Sequence, residues 1–308
     1  MSDLSQRVTI VVTSFNRRDD LEVCLRSAIA QQGSPRVLAI DNGSNDGSGA
    51  MIREKFPQVE LKEIAVNEPL IVIRNKAADW VQTPLIVSID DDAEFTATDI
   101  VAETAKLFDD ERVGVVAIPY EDVKVDPGKV RQKKPDSAGQ FATSSFTGTA
   151  YAMRREIFKD VGGYRDFLVR QGEERDFTLR MFRRGYLALL GDSAIIKHYA
   201  SPRRNFREID IYGRRNDVLF IWFFCPMPEM LWHLPGVLAK GVLHGLKKKR
   251  LGNNLTGTFK GLADIWRYRG LREPVSRRLY AIYRRLRTEA VPAEELEAVI
   301  KDEPKARV

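Results

Sequence analysis

Cysteine and histidine are scarce in this chain. Its 308 residues include two cysteines, Cys24 and Cys225, and three histidines, His198, His233 and His244. A disulfide framework, a Cys-rich zinc site and a His-rich metal centre are thereby excluded. The N-terminus, MSDLSQRVTI, lacks a basic segment followed by an apolar run, so no signal peptide is expected. Residues 218–238 are strongly apolar but are interrupted by Pro226, Pro228, Glu229 and Pro235. The longest clean run there, 218–225, is too short to span a bilayer. Neither G-x-x-x-x-G-K-[ST] nor a strand followed by G-x-G-x-x-G occurs, which excludes the glycine cradles for phosphate. No repeat and no low-complexity tract is visible. What remains is enough to fold: 44% hydrophobic and 30% charged residues, at a mean hydropathy of −0.30, exclude a disordered chain and a polytopic membrane protein. The length suits one large α/β domain with an appendage, or two ordinary domains. A reduced, cytosolic globular protein is the expectation.

The net charge of +6 is unevenly spread. Residues 247–287 hold thirteen basic and two acidic residues, whereas 288–308 hold three basic and six acidic ones. The rest of the chain is therefore slightly acidic. A basic stripe attracts nucleic acid or an anionic membrane surface, or is a solvated face.

Residues 8–13 (VTIVVT) predict a buried strand, because β-branched residues run without alternation. Helical spacing follows over 19–31, and a second strand over 36–40 ends at Asp41. A Gly/Ser/Asn/Asp loop covers 41–49. Residues 71–82 suit a helix, 85–89 (LIVSI) a third buried strand ending at Asp90, 99–108 a helix and 113–118 a strand. This rhythm predicts a mostly parallel sheet with crossover helices. Residues 121–147 read as a long polar loop, 154–160 and 173–184 as helices, and 186–196 as strand-like. Three regions are expected: 1–215 as the main α/β domain, 216–290 as an apolar and basic helical extension, and 291–308 as an acidic tail. In the extension, Leu255, Phe259, Leu262, Ile265 and Trp266 line one helical face. Val275, Leu279, Ile282, Tyr283 and Leu286 line another, opposite four arginines. Such helices lie in a membrane interface or pack on the core; the pattern allows both.

Three constellations carry possible chemistry. Asp90, Asp91 and Asp92 directly follow a buried strand, where open α/β sheets bind ligands. Close carboxylates repel unless a cation neutralises them, and a hard ion such as Mg²⁺ or Mn²⁺ takes oxygen ligands and bridges to a diphosphate. Asp41 points to the same edge. Without a glycine cradle, a diphosphate needs metal and arginines, for which Arg74, Arg203, Arg204, Arg214 and Arg215 are candidates. Second, Gly172-Glu173-Glu174-Arg175-Asp176 opens a helix; acids there complement the helix dipole, and one of them is also a potential general base. Third, His198 ends a strand-like run and matters if it closes on the metal of the Asp triplet.

Together these residues resemble the family 2 glycosyltransferases, an inverting group with the GT-A fold. Thr13-Ser14-Phe15-Asn16-Arg17 is similar to the family's T-x-[YF]-N-R signature, and Asp41-Asn42-Gly43-Ser44-Asn45-Asp46-Gly47-Ser48 to its D-[ND]-G-S-x-D-G-[ST] loop. Arg74-Asn75-Lys76-Ala77 resembles its R-N-x-[GA] helix, and Asp90-Asp91-Asp92 its metal-binding acidic motif. The stretch from Phe146 through Gly148 to Ala150, then Gly162-Gly163-Tyr164, resembles the approach to its acceptor-site helix, and 172–186 its G-E-D-x-D…L-R…G-[YH] block. The match runs from about residue 8 to about residue 200. The resemblance implies a nucleotide-diphosphate-sugar donor, an inverting displacement and a divalent cation. It implies Glu174 as the base, with Glu173 and Asp176 as substitutes, because the family has Asp at that position. It places Thr13, Phe15, Asn16, Arg17, Asp41, Arg74, Asp90, Asp91 and Arg215 around the nucleotide-sugar, Asp92 and His198 on the metal, and Gly148 and Glu173 on the acceptor side. The implied acceptor is a glycan or a lipid-linked glycan in cell-surface polysaccharide biosynthesis.

Three rivals are weaker. A sugar nucleotidyltransferase usually carries a Gly-rich loop after its first strand, where this chain has Ser14-Phe15-Asn16-Arg17-Arg18. A catalytically degenerate sugar-nucleotide-binding protein does not need an intact Asp triplet, Glu174 and His198. A nucleic-acid partner is not expected, since the aromatics of 247–287 lie apart from its arginines. The expected location is cytoplasmic, peripheral on the inner face of the cytoplasmic membrane.

Overall fold

The computed structural model describes residues 3–200 and 205–303. The central sheet is built on β1 (Val8–Ser14), β2 (Arg36–Asp41), β3 (Glu60–Glu63) and β4 (Leu85–Asp90). These four are parallel. Their crossovers are α1 (Arg18–Ile29), α2 (Ser48–Lys55) and α3 (Leu70–Trp80). Leu21, Cys24, Leu25 and Ala28 of α1 are buried, as their three- and four-residue spacing requires. After β5 (Ala93–Phe95) and α4 (Ile100–Lys106) come β6 (Val113–Ala117), β7 (Tyr120–Asp122), β8 (Val130–Arg131), β9 (Phe141–Ala142) and β10 (Ala150–Arg154). Then follow α5 (Arg155–Asp160), α6 (Glu173–Phe182), β11 (Leu187–Leu190) and β12 (Ile196–His198).

Nine strands make the main sheet in the order β13-β9-β11-β6-β10-β4-β1-β2-β3, where β13 is Val291–Pro292. Only β10 and β9 run against the others, so the sheet is mixed but mostly codirectional. A second sheet, β5-β12-β7-β8, stands beside its carboxyl edge. The polar stretch 121–147 is thus a loop pinned at intervals by three short strands.

The C-terminal part consists of α7 (Phe206–Phe224), α8 (Met230–Lys247), α9 (Leu251–Arg267), α10 (Arg277–Arg285) and, after β13, α11 (Ala293–Lys301). Helix α7 passes through residue 215 without a break, so the boundary expected there falls inside a helix. The apolar stripe Val275, Leu279, Ile282, Tyr283 and Leu286 of the α10 segment is buried in the core. Helices α8 and α9 differ: what they bury is chiefly Gly241, Gly245, Asn254, Gly257, Thr258 and Gly261, and Leu231, Trp232, Leu243, Leu246, Phe259 and Trp266 remain exposed. No helix among the described residues is long and apolar enough to cross a membrane.

Candidate active site

Three parallel strands end together. Ser14 pairs in register with Asp41, and Thr13 with Asp90, so both acids stand on one carboxyl edge. The loop after β1 is tied to the Gly/Ser loop after β2. The Asn16 backbone N–H donates to Ser44 Oγ at 3.0 Å, and the Asn45 N–H to Asn16 Oδ1 at 2.8 Å. Asp41 accepts from the Ser44 N–H at 2.9 Å, and Phe15 is left exposed above this edge. These contacts shape a polar shelf with one exposed aromatic ring.

The second sheet brings together the groups that could hold a metal ion. Strand β12 lies between β5 and β7, with His198 in register with Ala93 on one side and Asp122 on the other. His198 Nε2 then sits 3.2 Å from Asp92 and 3.9 Å from Asp90. Its Nδ1 is 2.5 Å from Asp122. One ligand atom each from Asp90, Asp92 and His198 falls within a 4.8 Å cluster. Arg17 pairs with Asp92 and lies 3.5 Å from Asp91. Burial pushes Asp91 up to about 7, against the pull of Arg17. Burial also works against Asp92, but His198 and Arg17 hold it down to about 2. His198 loses solvation too, yet Asp92, Asp90 and Asp122 raise its pKa, so the cluster favours positive charge at this point. Asp122 was not legible in the sequence as a functional residue: its partner is 76 positions away and no spacing announces it.

A buried guanidinium joins this cluster to α6. Arg74, on α3, donates to Asp90 at 3.2 Å and lies 3.8 Å from Glu173. Gly148 leaves room for it: a Cβ at that position would lie 2.4 Å from Arg74 Nη2. Helix α6 starts after Gly172, whose φ of +91° favours glycine. Burial, then the neighbouring Glu173, pushes Glu174 up to about 8, with Arg74 opposing. Glu173 is also raised by burial, and its Oε2 has no hydrogen-bond partner among the described residues. Asp176 is committed elsewhere, to Arg165 at 3.1 Å and Arg180 at 2.8 Å, so it is structural rather than a substitute base.

Glu174 borders a cavity of about 340 Å³, walled also by Gln171, Asp210, Arg214, Asp217 and His244. The C-terminal helices therefore build one side of the site. Arg215, expected beside the nucleotide-sugar, is not brought to it. Its guanidinium is spent on Asp264 at 2.5 Å, the Phe167 carbonyl and Asn216. Neighbouring residues on a helix point about 100° apart, so Arg214 meets the cavity while Arg215 turns towards α9. Asn216 donates to the carbonyls of Leu168, Arg170 and Gln171 and so fixes the turn that aims α6. Arg203 and Arg204 lie outside the described residues.

The model of glycosyl transferase family 2 matches residues 9–162. The chain belongs to that family. It is a glycosyltransferase with a GT-A-type fold, and two solved structures illustrate the likeness. One is the mannosyltransferase PcManGT from Pyrobaculum calidifontis in complex with GDP-Man and Mn²⁺, 21% identical, at a TM-score of 0.57 over 96% of this chain and 86% of that one. The other is S. aureus TarS 1-349 in complex with UDP-GlcNAc, 14% identical, at a TM-score of 0.64 over 96% and 90%. No curated relative matches by sequence.

Proposed function

We propose that this family 2 glycosyltransferase moves a sugar, with inversion, from a nucleotide-diphosphate-sugar to a hydroxyl of a glycan or lipid-linked acceptor, in the assembly of cell-surface polysaccharide. The observation that carries the reading is the path from Asp90 through Arg74 to the Glu173–Glu174 pair, with a cavity bordered by Glu174. It joins a diphosphate-and-metal edge to a base of raised pKa.

Two carboxylates and one imidazole nitrogen make a donor set that suits Mn²⁺, while Mg²⁺ prefers oxygen throughout. Asp122 holds Nδ1 of His198, which orients Nε2 towards Asp90 and Asp92. A divalent cation on Asp90, Asp92 and His198 would supply neutralising charge for the departing diphosphate. Arg74 and Arg17 hold the acidic edge in place, and the shelf of Thr13, Phe15, Asn16 and Asp41 receives the nucleoside. Ionised Glu174 takes the proton of the acceptor hydroxyl as its oxygen bonds to the anomeric carbon. The nucleoside diphosphate leaves from the opposite face with the bonding electron pair. A panel of sugar nucleotides with Mn²⁺, scored for donor hydrolysis and transfer, tests this. The expected result is one preferred donor and dependence on the cation; activity unchanged by EDTA overturns it.

The exposed apolar face of α8 and α9 ends at Lys247-Lys248-Lys249-Arg250. That combination supports peripheral attachment to the anionic inner face of the cytoplasmic membrane, at about 1 kcal/mol per basic residue near the surface plus apolar burial. An enzyme held there meets a lipid-linked acceptor as it emerges from the bilayer.

A further inference from the structure

The cavity beside Glu174 has a lining that discriminates among acceptor chemistries. It is formed by one face of α7, where Asp210, Gly213, Arg214 and Asp217 recur at helical spacing, closed by the turn before α6 and by single residues of α8 and α9. Ile209 is its one aliphatic residue. An acyl or prenyl chain would bury its methylenes against polar groups there, so the cavity does not suit the lipid part of an acceptor.

The charges of the lining are already matched. Arg175 reaches Asp217 at 2.6 Å and Arg214 reaches the same carboxylate at 3.0 Å. Asp210, the other paired carboxylate, is held by Arg250 from outside the lining at 3.2 Å. Two arginines in the lining thus face two paired carboxylates, Asp210 and Asp217, besides the buried Glu174 carboxyl. A phosphate or a uronate entering this space finds both arginines of the described lining already paired with Asp217 and meets carboxylates of its own sign. A hydroxyl finds both roles it needs. Carboxylate oxygens accept from it, and the terminal guanidinium N–H groups not used on Asp217 donate to it. The volume falls at the lower end of the range for small-molecule sites, the size of a short saccharide rather than a long one.

We propose that this cavity seats an uncharged, hydroxyl-rich sugar unit of the acceptor, and that Asp217, by clamping Arg175 and Arg214, excludes anionic sugars from it. The proposal rests on the glycosyl-transfer reading above. Glu174 lines the cavity, whereas Asp90 and Arg74 do not.

The experiment supplies the full chain with its preferred sugar nucleotide and Mn²⁺, then methyl glycosides of neutral hexoses or the corresponding sugar 6-phosphates as acceptors. Donor hydrolysis without acceptor is followed in parallel. The wild type is expected to transfer to neutral glycosides and to disfavour the phosphates. Asp217→Asn keeps the shape but frees two guanidinium groups. It should raise KM for the neutral glycoside about tenfold and improve use of the phosphate by a similar factor, with donor hydrolysis intact. Ile209→Trp fills the cavity and should abolish transfer while donor hydrolysis persists, which also reports that the variant is folded. Preference of the wild type for sugar phosphates overturns the proposal. So does unchanged acceptor selectivity in Asp217→Asn, or normal transfer by Ile209→Trp. Loss of donor hydrolysis in the wild type would instead strike the glycosyl-transfer reading itself.

Discussion

Gly148→Ala adds a single methyl group and tests how the two halves of the site are joined. The backbone of Gly148 is not left-handed, so the substitution acts through crowding alone. The new Cβ would lie 2.4 and 2.5 Å from the two terminal nitrogens of Arg74 and 2.8 Å from Cζ. Normal contact requires the guanidinium to retreat by about 1 Å. Arg74 is 8% exposed and cannot escape into solvent. Its 3.2 Å bond to Asp90 then stretches beyond useful range. A hydrogen bond between charged groups is worth about 1.5–3 kcal/mol, which becomes a fall of roughly 10- to 100-fold in transfer if that link positions the donor against Glu174. A second consequence has a definite sign. Arg74 lowers the pKa of both Glu173 and Glu174, so its withdrawal raises them. Because the base must be ionised, the rising limb of kcat against pH should move to higher pH. The assay is kcat for transfer from pH 6 to 10, alongside Kd for the sugar nucleotide. A variant with wild-type kcat and an unmoved pH profile refutes the role given to Arg74.

In the wild type, kcat should climb with pH, reach half its maximum near pH 8 and level off about one pH unit above that, since burial pushes Glu174 up to about 8; a flat profile argues against it as base. Glu174→Gln should cost roughly 10²–10⁴ in kcat with donor affinity retained, measured by single-turnover transfer and by titration of the sugar nucleotide. Asp122→Asn should weaken Mn²⁺ binding roughly 10- to 100-fold in a metal titration, while the melting temperature changes little, because the group orients His198 rather than filling the core. Flotation with anionic liposomes at low salt should carry the full chain, and paired Leu243→Ser and Trp266→Ser substitutions should release it; a wild-type chain that stays at the bottom of the gradient sinks the membrane reading.

The parallel strands and the acidic edge were legible because their signals are local. VTIVVT and LIVSI are runs that only a buried strand tolerates, and the strand ends at Asp41 and Asp90 follow directly. Strands of two or three residues carry no period, so β7, β8 and β9 were hidden within a polar stretch. Strand β10 was missed as well, because AYAMR holds no β-branched residue to mark it as a strand. Its insertion between β4 and β6 is a tertiary event. Asp122 was invisible for the same reason: only the pairing of β12 with β7 makes it a neighbour of His198. The turning of Arg215 towards α9 has another cause. A motif gives the order of residues along a chain but not the rotation of the helix that bears them. The stripe of α10 was ambiguous in principle, since an amphipathic face has the same spacing whether it meets lipid or core.

The two margins of the nine-stranded sheet bear on how the chain survives in a crowded cell. On one side β3 offers Glu60, Lys62 and Glu63, charges that resist pairing with a stray strand. On the other side β13 ends the sheet with exposed Pro292, which has no N–H to donate. That second stop comes from the last twenty residues of the chain, not from the segment that carries the chemistry. A polypeptide cut after Arg215 keeps every acid of the donor edge, yet it bares β9 and loses the half of α7 that carries the buried Val218–Phe224 segment. Such a fragment should stick to other copies of itself, so the C-terminal part acts as a built-in guard against self-association as well as a wall of the acceptor cavity.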